Sequence, residues 1–441
     1  MEGGETMAEE KKKADIIYNI HDKPPAGPAV VYALQHILAM FSGNVTVPLL
    51  VVGIAGLSSG EGTLLIQCAL LMAGVVTLLQ VAGAGPVGSR LPVVMGTSNG
   101  FLSTVSLITT QYGIGACLGA SFIGGLFECV LGSFLNKLKK VFTPLVSGIV
   151  VMTIGLTLIP TGIKAAAGGS TQEGLGAPVN LFLSGIVILT IIICSCVNNK
   201  MLKSASILAG IVVGYVTAAL MGKVDFTSVL EASWIGLPGM LHWKWEFRPA
   251  AIVIMLFMYL ATTIETVGDI SALTIVAEER QPTLAESRGA VLADGLGSAL
   301  AAVFNAFPNT SYTQNIGVVN LTGVFSNFVV TIGAGILVVL SLFPKVAAVI
   351  LCVPQPVLGG ATLITFVMVF ISGIELIRST DITSRDMLIM AISLGIGVGF
   401  NLVPDAMAQL PGTVSICMTS GIIPASILAV FLDRILPGRK E

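Results

Sequence analysis

The chain has 441 residues, of which 54% are hydrophobic and only 10% charged, and its mean hydropathy is +0.93. Values so apolar exclude an ordinary water-soluble domain and predict an integral membrane protein. The net charge of −2 comes without a concentrated basic stripe, so no nucleic-acid partner is expected. The seven cysteines include no C-x-x-C pair, and we predict neither a metal site nor a cofactor.

Fourteen apolar segments follow one another along the chain, and a helix needs about 20 such residues to cross a bilayer. They lie near residues 29–51, 64–82, 94–113, 115–135, 142–162, 180–197, 204–222, 250–272, 288–305, 311–324, 326–351, 356–377, 386–402 and 413–433. We therefore predict an all-α membrane fold with 14 transmembrane segments. The first segment is too long for the core of a signal peptide, so we expect it to remain as an uncleaved anchor.

Lysine and arginine residues fall mainly on one side of this arrangement. With the N-terminal tail in the cytoplasm, 17 of the 22 lie on the inner side and 5 on the outer side. The outer five are Lys164, Lys223, Lys244, Arg248 and Lys345. Because inner loops are enriched in these residues, we predict a multi-pass protein of the inner (cytoplasmic) membrane with both termini in the cytoplasm.

A polar, glycine-bearing cassette interrupts one apolar segment in each half of the chain. Its shared positions recur at a spacing of 216 residues, as Pro92 and Pro308, Thr97 and Thr313, and Asn99 and Asn315. A second repeated pattern relates residues 144–148 to residues 356–360 at a spacing of 212. Chance recurrence of proline and glycine at segment ends is the alternative. Because seven segments separate the copies, duplication predicts a 7+7 inverted repeat, the arrangement that places binding sites of transporters near the midplane.

The two cassettes cannot be ordinary transmembrane helices. In each, a stretch that reads as extended chain precedes only about ten apolar-leaning residues, half a bilayer at a rise of ~1.5 Å per residue. Unpaired backbone amides in hydrocarbon cost several kcal/mol each. We therefore predict that two short strands, 92–99 and 308–315, pair antiparallel, and that the half-helices after them aim their positive N-termini at the protein centre.

Ionisable residues inside the apolar segments form a short set, and each is a functional candidate because charge is expensive in a membrane. They are His36, Glu128, Glu265, Asp269 and Asp294. Glu265 and Asp269 are four residues apart and share one helix face, where mutual repulsion favours a shared proton. We predict a proton site there. The alternative for every member is a structural hydrogen bond to a neighbouring helix, which is the interpretation favoured for Glu128.

Several motifs resemble one known family. Residues 314–323, Gln-Asn-Ile-Gly-Val-Val-Asn-Leu-Thr-Gly, resemble the Q-N-x-G-x4-T-G signature of the nucleobase-ascorbate transporters. Gln35-His36 resembles the Q-H motif of the first segment in that family, and residues 265–269 resemble its acidic motif in the eighth. The resemblance covers essentially the whole chain in the right order.

This resemblance implies two domains, an elevator-like movement of one against the other, and a homodimer. The implied core domain comprises 29–137 and 250–352, and the gate domain comprises 138–224 and 353–436. The remaining parts are a cytoplasmic N-tail at 1–28, an extracellular loop at 225–249 and a cytoplasmic C-tail at 437–441.

The resemblance also implies a substrate site between the paired strands. Glu265 and Gln314 would hold a base, and Asn315 would shape the pocket. The other residues expected to line it are Ser98, Asn99, Thr313 and Gly317. Proton coupling would involve His36, Asp269 and Asp294 together with Glu265.

The implied substrate is a purine nucleobase. A carboxylate accepts from ring N–H groups, and a glutamine amide offers one donor and one acceptor to a carbonyl/N–H edge. Oxidised purines present such edges, and Gln314 and Gly323 resemble the purine-carrying members of the family. We therefore expect a xanthine carrier, with uric acid as second substrate, coupled to H⁺. The alternatives are a uracil or broad nucleobase:H⁺ symporter, a Na⁺-coupled carrier, a channel, or a membrane-embedded enzyme.

Overall fold

The computed structural model describes residues 16–138, 143–169, 174–197, 199, 202–203, 206–378 and 382–437. Several parts of the predicted topology lie outside these residues. They are residues 1–15 of the N-tail with Lys11, Lys12 and Lys13, the loop lysines Lys139, Lys140 and Lys200, and residues 438–441 of the C-tail with Arg439 and Lys440.

The first half of the described chain contains nine helices and one strand. Their bounds are α1 Ala26–Ala55, α2 Ser59–Ala82, β1 Met95–Thr97, α3 Leu102–Tyr112, α4 Ile114–Ser133, α5 Leu135–Leu138, α6 Pro144–Ala166, α7 Pro178–Cys196, α8 Ser206–Leu220 and α9 Thr227–Glu231. A single 3-10 turn at Asn99–Phe101 joins β1 to α3.

The second half repeats the pattern of long helices around one short strand. The bounds are α10 Pro249–Glu278, α11 Leu284–Val303, β2 Asn309–Ser311, α12 Thr313–Thr322, α13 Asn327–Ser341, α14 Pro344–Leu351, α15 Gln355–Arg378, α16 Ser384–Leu402, α17 Gly412–Thr419 and α18 Ile422–Ile435. A 3-10 turn at Pro404–Met407 precedes α17.

The predicted fold class is confirmed, since the chain is mostly helical with many apolar helices and one short strand pair. Within the described residues, eight helices are long and apolar enough to cross a membrane by themselves. The count of 14 segments stays a prediction. Two predicted segments are interrupted: 326–351 bends by 87° between α13 and α14, where Pro344 opens the second helix, and 413–433 breaks at Gly421.

Helix ends follow from local sequence signals. Ser58 with Glu61 and Thr283 with Glu286 form capping boxes that satisfy the first free N–H groups of α2 and α11. Proline occupies the first turn of α6, α7, α10 and α14, where no hydrogen bond is lost. Gly323 ends α12 in the left-handed conformation, with φ of 70°, which a residue without a side chain adopts at low cost.

The two predicted strands pair antiparallel, as the duplication suggested. Met95 lies opposite Ser311, Gly96 opposite Thr310 and Thr97 opposite Asn309. The partners Met95 and Ser311, at one end of the assigned strands, differ by 311 − 95 = 216, which is the spacing of the cassettes. In an antiparallel pair related by a twofold axis, one position must face its own repeat equivalent, so the register agrees with the pseudo-twofold inferred from the duplication.

The strands are shorter than predicted. Only three residues on each side are assigned to strands, although the ladder extends to Ser98 N–H with Pro308 C=O (2.8 Å) and Tyr312 N–H with Val94 C=O (3.0 Å). Asn99 therefore lies in a 3-10 turn, and Thr313 already begins α12. The reason is that helical hydrogen bonding satisfies the backbone immediately beyond the ladder.

Side chains from neighbouring helices cover the outer edges of the strand pair. Thr77 of α2 hydrogen-bonds both backbone groups of Met95, at 2.9 and 3.2 Å. Ser298 of α11 does the same for Asn309, at 3.0 and 3.1 Å. Asn44 of α1 accepts from Thr97 N–H at 2.8 Å. Because an open sheet edge is not tolerated in hydrocarbon, these contacts make a two-stranded pair stable inside a membrane protein.

Candidate substrate-binding site

The site lies where the paired strands end and two short helices begin. The 3-10 turn that leads into α3 starts directly after Ser98, and α12 starts directly after Tyr312. The first turns of such helices carry backbone N–H groups without intrahelical partners. Helix α10 packs against β2 and against the 3-10 turn that follows β1, and it brings the predicted acidic residues to this junction.

Glu265 of α10 faces the first cassette and keeps a polar atom free. Its Oε2 is buried and has no hydrogen-bond partner among the described residues. A Cβ atom placed on Gly100 would lie 3.7 Å from that oxygen and 3.4 Å from Ser98 Oγ. The missing side chain at Gly100 therefore leaves room beside the Glu265 carboxylate, next to a serine hydroxyl that also has no partner in the described chain.

Asp269, one turn further along α10, is fixed by two hydroxyl groups. Its Oδ2 accepts from Ser311 Oγ at 2.6 Å, and its Oδ1 accepts from Thr313 Oγ1 at 2.8 Å. Both hydroxyls belong to the second cassette, one at the end of β2 and one at the start of α12. Asp269 therefore ties α10 to the junction rather than pointing freely into a cavity.

Two further acids accept hydrogen bonds from threonines of α10. Asp294 of α11 accepts a hydrogen bond from Thr266 Oγ1, which lies 3.3 Å from Thr310 Oγ1 in β2. Glu128 of α4 accepts from Thr262 and Thr263, at 3.4 and 3.2 Å. The described partners of both acids are hydroxyls rather than cations. This is the helix-to-helix hydrogen bond expected for Glu128.

His36 and Asn315 join α1 to α12. Asn315 Nδ2 donates to His36 Nδ1 at 2.9 Å and to the His36 backbone carbonyl at 3.2 Å. This geometry uses Nδ1 as an acceptor, so the ring proton belongs on Nε2. The Asn315 Oδ1 atom is buried and has no hydrogen-bond partner among the described residues, so the amide can still accept from a ligand.

The remaining predicted residues differ in their surroundings. Gln314 is half-buried, and its side chain makes no hydrogen bond within the described chain. Asn99 is buried, and its Oδ1 is likewise unpaired there. Gly317 is exposed, and a Cβ atom added to it would contact nothing within 4 Å. The structure therefore brings Ser98, Asn99, Glu265 and Asn315 around the strand pair with unused polar atoms, whereas Gly317 lies on an open face of α12.

The sequence interpretation missed the polar residues that hold this junction together. Asn44, Thr77, Thr266 and Ser298 contact the strands or the acids, yet none of them belongs to the duplicated cassettes. A small polar residue in an apolar segment was the available signal. This signal alone does not predict a contact with another helix, because serine and threonine in membrane helices commonly donate to the backbone of their own helix. Thr153 is an example.

Comparison with known proteins identifies the family. A family model described as a permease family matches residues 27–406. The chain belongs to the nucleobase-ascorbate transporter family. The family predicted from the resemblance is thereby confirmed, and the chain is a multi-pass membrane permease rather than an enzyme.

Relatives extend over nearly the whole chain. A Clostridium perfringens protein named as a purine permease is 38% identical over 96% of this chain and 94% of its own. The xanthine permease XanP of Escherichia coli is 34% identical over 98% and 96%. The uric acid permease PucK of Bacillus subtilis is 37% identical over 91% and 94%.

A solved structure shares the architecture. The transmembrane domain of the cyanobacterial bicarbonate transporter BicA matches with a TM-score of 0.55 at 14% identity, covering 94% of this chain and 99% of that one. At this identity the likeness shows the fold alone.

Proposed function

We propose that this permease imports xanthine, with uric acid as a second substrate, by proton symport. The observation that carries the proposal is the group of unpaired buried polar atoms at the strand junction, namely Ser98 Oγ, Asn99 Oδ1, Glu265 Oε2 and Asn315 Oδ1. Leaving such atoms without partners costs about 1–3 kcal/mol each. A polar ligand that donates to several of them at once offsets this cost. The names of the relatives support an oxidised purine as that ligand.

Glu265 and Gln314 are the proposed recognition residues. The Glu265 carboxylate accepts from a ring N–H, and the Gln314 amide pairs with a carbonyl/N–H edge through one donor and one acceptor. Support comes from the free Oε2 of Glu265 and from the absence of any described side-chain hydrogen bond at Gln314. Asn99 and Thr313 complete the proposed pocket with Asn315, which is oriented by its bond to His36.

Proton coupling is proposed for the acidic cluster of Glu265, Asp269 and Asp294. The described hydrogen-bond partners of Asp269 and Asp294 are hydroxyls, so no basic side chain neutralises them by direct contact in the described chain. An anionic carboxylate in that setting is expensive, and binding a proton removes the charge. Na⁺ would need several converging oxygen ligands, which makes Na⁺ coupling the alternative to test.

The proposed movement is an elevator-like displacement of the core domain, 29–137 with 250–352, against the gate domain, 138–224 with 353–436. Supporting this division, both strands and all the acids of the cluster belong to the core segments, whereas α6 and α15 pack closely on each other within the gate segments. We also propose a homodimer in the inner membrane, with both termini cytoplasmic, from the distribution of basic residues and the family resemblance.

The proposal is tested by uptake into proteoliposomes under an imposed pH gradient. Labelled xanthine, uric acid and uracil are compared in the wild type, Glu265→Gln and Gln314→Glu, with and without a Na⁺ gradient. We expect xanthine uptake driven by the pH gradient and competed by uric acid. Glu265→Gln should reduce it at least about tenfold, because a charge-assisted acceptor is worth about 1.5–3 kcal/mol.

The matched control is Glu375→Gln, on an exposed position of α15, which should transport as the wild type does. Normal xanthine uptake by Glu265→Gln would refute the assigned site. Uptake of uracil alone, or uptake driven only by Na⁺, would instead support one of the alternatives.

A further inference from the structure

The connection between α8 and α10 carries large apolar side chains that are mostly exposed. Trp234, Ile235 and Leu237 are 73%, 75% and 86% exposed. Leu189, on the outward face of the membrane helix α7, is only 56% exposed. Side chains of this size are therefore more open in the connection than on a helix that faces lipid. A long, exposed apolar run of this kind marks an interaction surface.

The connection is nevertheless well ordered, because backbone and side-chain hydrogen bonds fasten it to several helices. Gln67 of α2 donates to Gly236 C=O at 3.2 Å. Asn305, just beyond α11, donates to Gly239 C=O at 2.7 Å and accepts from His242 N–H at 2.9 Å. Glu246 N–H donates to Gly115 C=O of α4 at 3.1 Å. The exposed apolar residues are thus displayed by a fixed scaffold rather than by a free loop.

The orientation of the neighbouring helix α14 places this scaffold at the membrane surface. Helix α14 lies at 87° to α13, so if α13 crosses the bilayer, α14 lies nearly in the membrane plane. Lys345 of α14 donates to Val229 C=O at 2.8 Å and lies 5.2 Å from the centre of the Trp234 ring. A lysine held over a tryptophan is an amphipathic pairing suited to the headgroup layer.

We propose that residues 226–241, the interface loop, lie in the outer interfacial layer of the bilayer with Trp234, Ile235 and Leu237 inserted among the lipid chains. Helix α8, which precedes the loop, ends at Leu220, whose side chain is also highly exposed. Tryptophan is the residue most typical of this layer. The partner is therefore lipid, at the depth where acyl chains meet headgroups.

The hydrogen bonds that fasten the interface loop also decide which part of the protein it anchors. The hydrogen bonds of the interface loop reach α2 and Asn305 at the end of α11, and the segment after the loop reaches α4 through Glu246, all within the segments assigned to the core. Asn305 lies four residues before β2. A lipid-inserted loop fastened there anchors the part of the protein that carries the strand pair to the outer leaflet.

The test exploits the three tryptophans of the chain, Trp234, Trp243 and Trp245, all of which lie in this connection. The double variant W243F/W245F leaves Trp234 as the only tryptophan. The matched control W234F/W245F leaves Trp243, which is half-buried against the apolar core. Each protein is reconstituted into vesicles of phosphatidylcholine, either unmodified or brominated near the top of the acyl chains. Iodide, added on both sides, reports exposure to water.

We expect brominated lipid to lower Trp234 emission by about twofold or more and iodide to have little effect, because the ring lies below the headgroups. Trp243 should respond weakly to brominated lipid. Strong quenching of Trp234 by iodide and none by brominated lipid would overturn the proposal in favour of a water-exposed loop. Quenching by neither would overturn it in favour of a protein contact, such as a second copy of the chain.

The single variant W234F provides a second measurement that does not depend on the folding of the double variants. The wild type and W234F are compared in both kinds of vesicle, and the difference between their emission spectra isolates Trp234. We expect the brominated lipid to quench the wild type by a larger fraction than W234F. Equal fractional quenching of the two proteins would contradict the insertion of Trp234.

Discussion

The acids at the centre of the protein are held mainly by hydroxyl groups of nearby helices and strands. Ser311 and Thr313 bind Asp269, and Thr266 binds Asp294. A hydroxyl can donate to a carboxylate and, after rotation, accept from a carboxylic acid. The same partners therefore serve both protonation states, which a lysine or arginine would not. This property suits a residue that binds and releases a proton during each transport cycle.

Asp269→Asn tests this assignment of proton coupling. The amide keeps one oxygen for one hydroxyl, while its NH₂ group faces the other, so the junction should survive. The amide cannot carry the proton. We expect xanthine exchange at equilibrium within about threefold of the wild type, and accumulation under a pH gradient reduced about tenfold or more.

The control for this measurement is Asp225→Asn, an exposed acid in the connection between α8 and α10. It should leave both exchange and accumulation unchanged. Undiminished accumulation by Asp269→Asn would show that this residue is not needed for coupling.

The His36–Asn315 contact makes a second prediction at the scale of single residues. Because the pair is buried and directly bonded, Asn315→Ala and His36→Ala should not be additive in xanthine affinity. We expect a coupling energy of about 1 kcal/mol from a double-mutant cycle measured by ligand binding in detergent. Combining Asn315→Ala with the remote Asp225→Asn should be additive, and additivity of both pairs would show that the contact does not shape the site.

Among the elements, the strand pair depends on the close approach of α1. A Cβ atom on Gly43 would lie 2.7 Å from Asn99 Nδ2 and 2.8 Å from Tyr312 Cε1. Tyr312 in turn donates from its hydroxyl to the Thr97 carbonyl at 2.5 Å. The absent side chain at Gly43 thus allows α1 to pack against Asn99 and Tyr312, just beyond the two strands, where the cassettes meet.

Gly43→Ala should therefore destabilise the protein, by about 1–3 kcal/mol for overpacking, offset in part by the better helix propensity of alanine. The matched control is Gly53→Ala in the same helix, where an added Cβ contacts nothing within 4 Å. Thermal unfolding in detergent should show a lower Tm for Gly43→Ala and an unchanged or higher Tm for Gly53→Ala. Equal effects of the two substitutions would contradict the packing argument.

For the whole molecule, the proposed displacement of core against gate can be tested by cross-linking. A Cβ atom on Gly268 of α10 would lie 3.6 Å from Leu376 Cδ2 of α15, across the proposed boundary. In a background lacking the seven native cysteines, Gly268→Cys with Leu376→Cys is joined by a short bifunctional thiol reagent. If the two parts must slide, we expect the cross-link to reduce xanthine uptake about tenfold or more.

The matched control joins two helices within the proposed core. A Cβ atom on Gly333 would lie 3.8 Å from Ala33 Cβ, a separation that suits a disulfide. Ala33→Cys with Gly333→Cys should therefore cross-link without loss of uptake. Undiminished uptake by the fully cross-linked Gly268/Leu376 pair would argue against a sliding mechanism at this boundary.

The sequence by itself determined the membrane class, the duplication and the strand pairing, because each depends on local composition or on a spacing along the chain. The 216-residue offset even agreed with one of the observed pairs, Met95 with Ser311. Helix periodicity also placed Glu265 and Asp269 on one face. Such periodicity fixes which residues of a helix share a face, but it does not say which other helix lies opposite.

Only the tertiary structure decided those partners. It showed that Thr77 and Ser298 cover the edges of the strands, that Asp269 is tied to Ser311 and Thr313, and that α14 turns sharply from α13. The physical reason is that a buried polar group must find a partner wherever packing brings one within about 3 Å. That distance depends on how helices far apart in the chain come together, which no spacing within a single segment records.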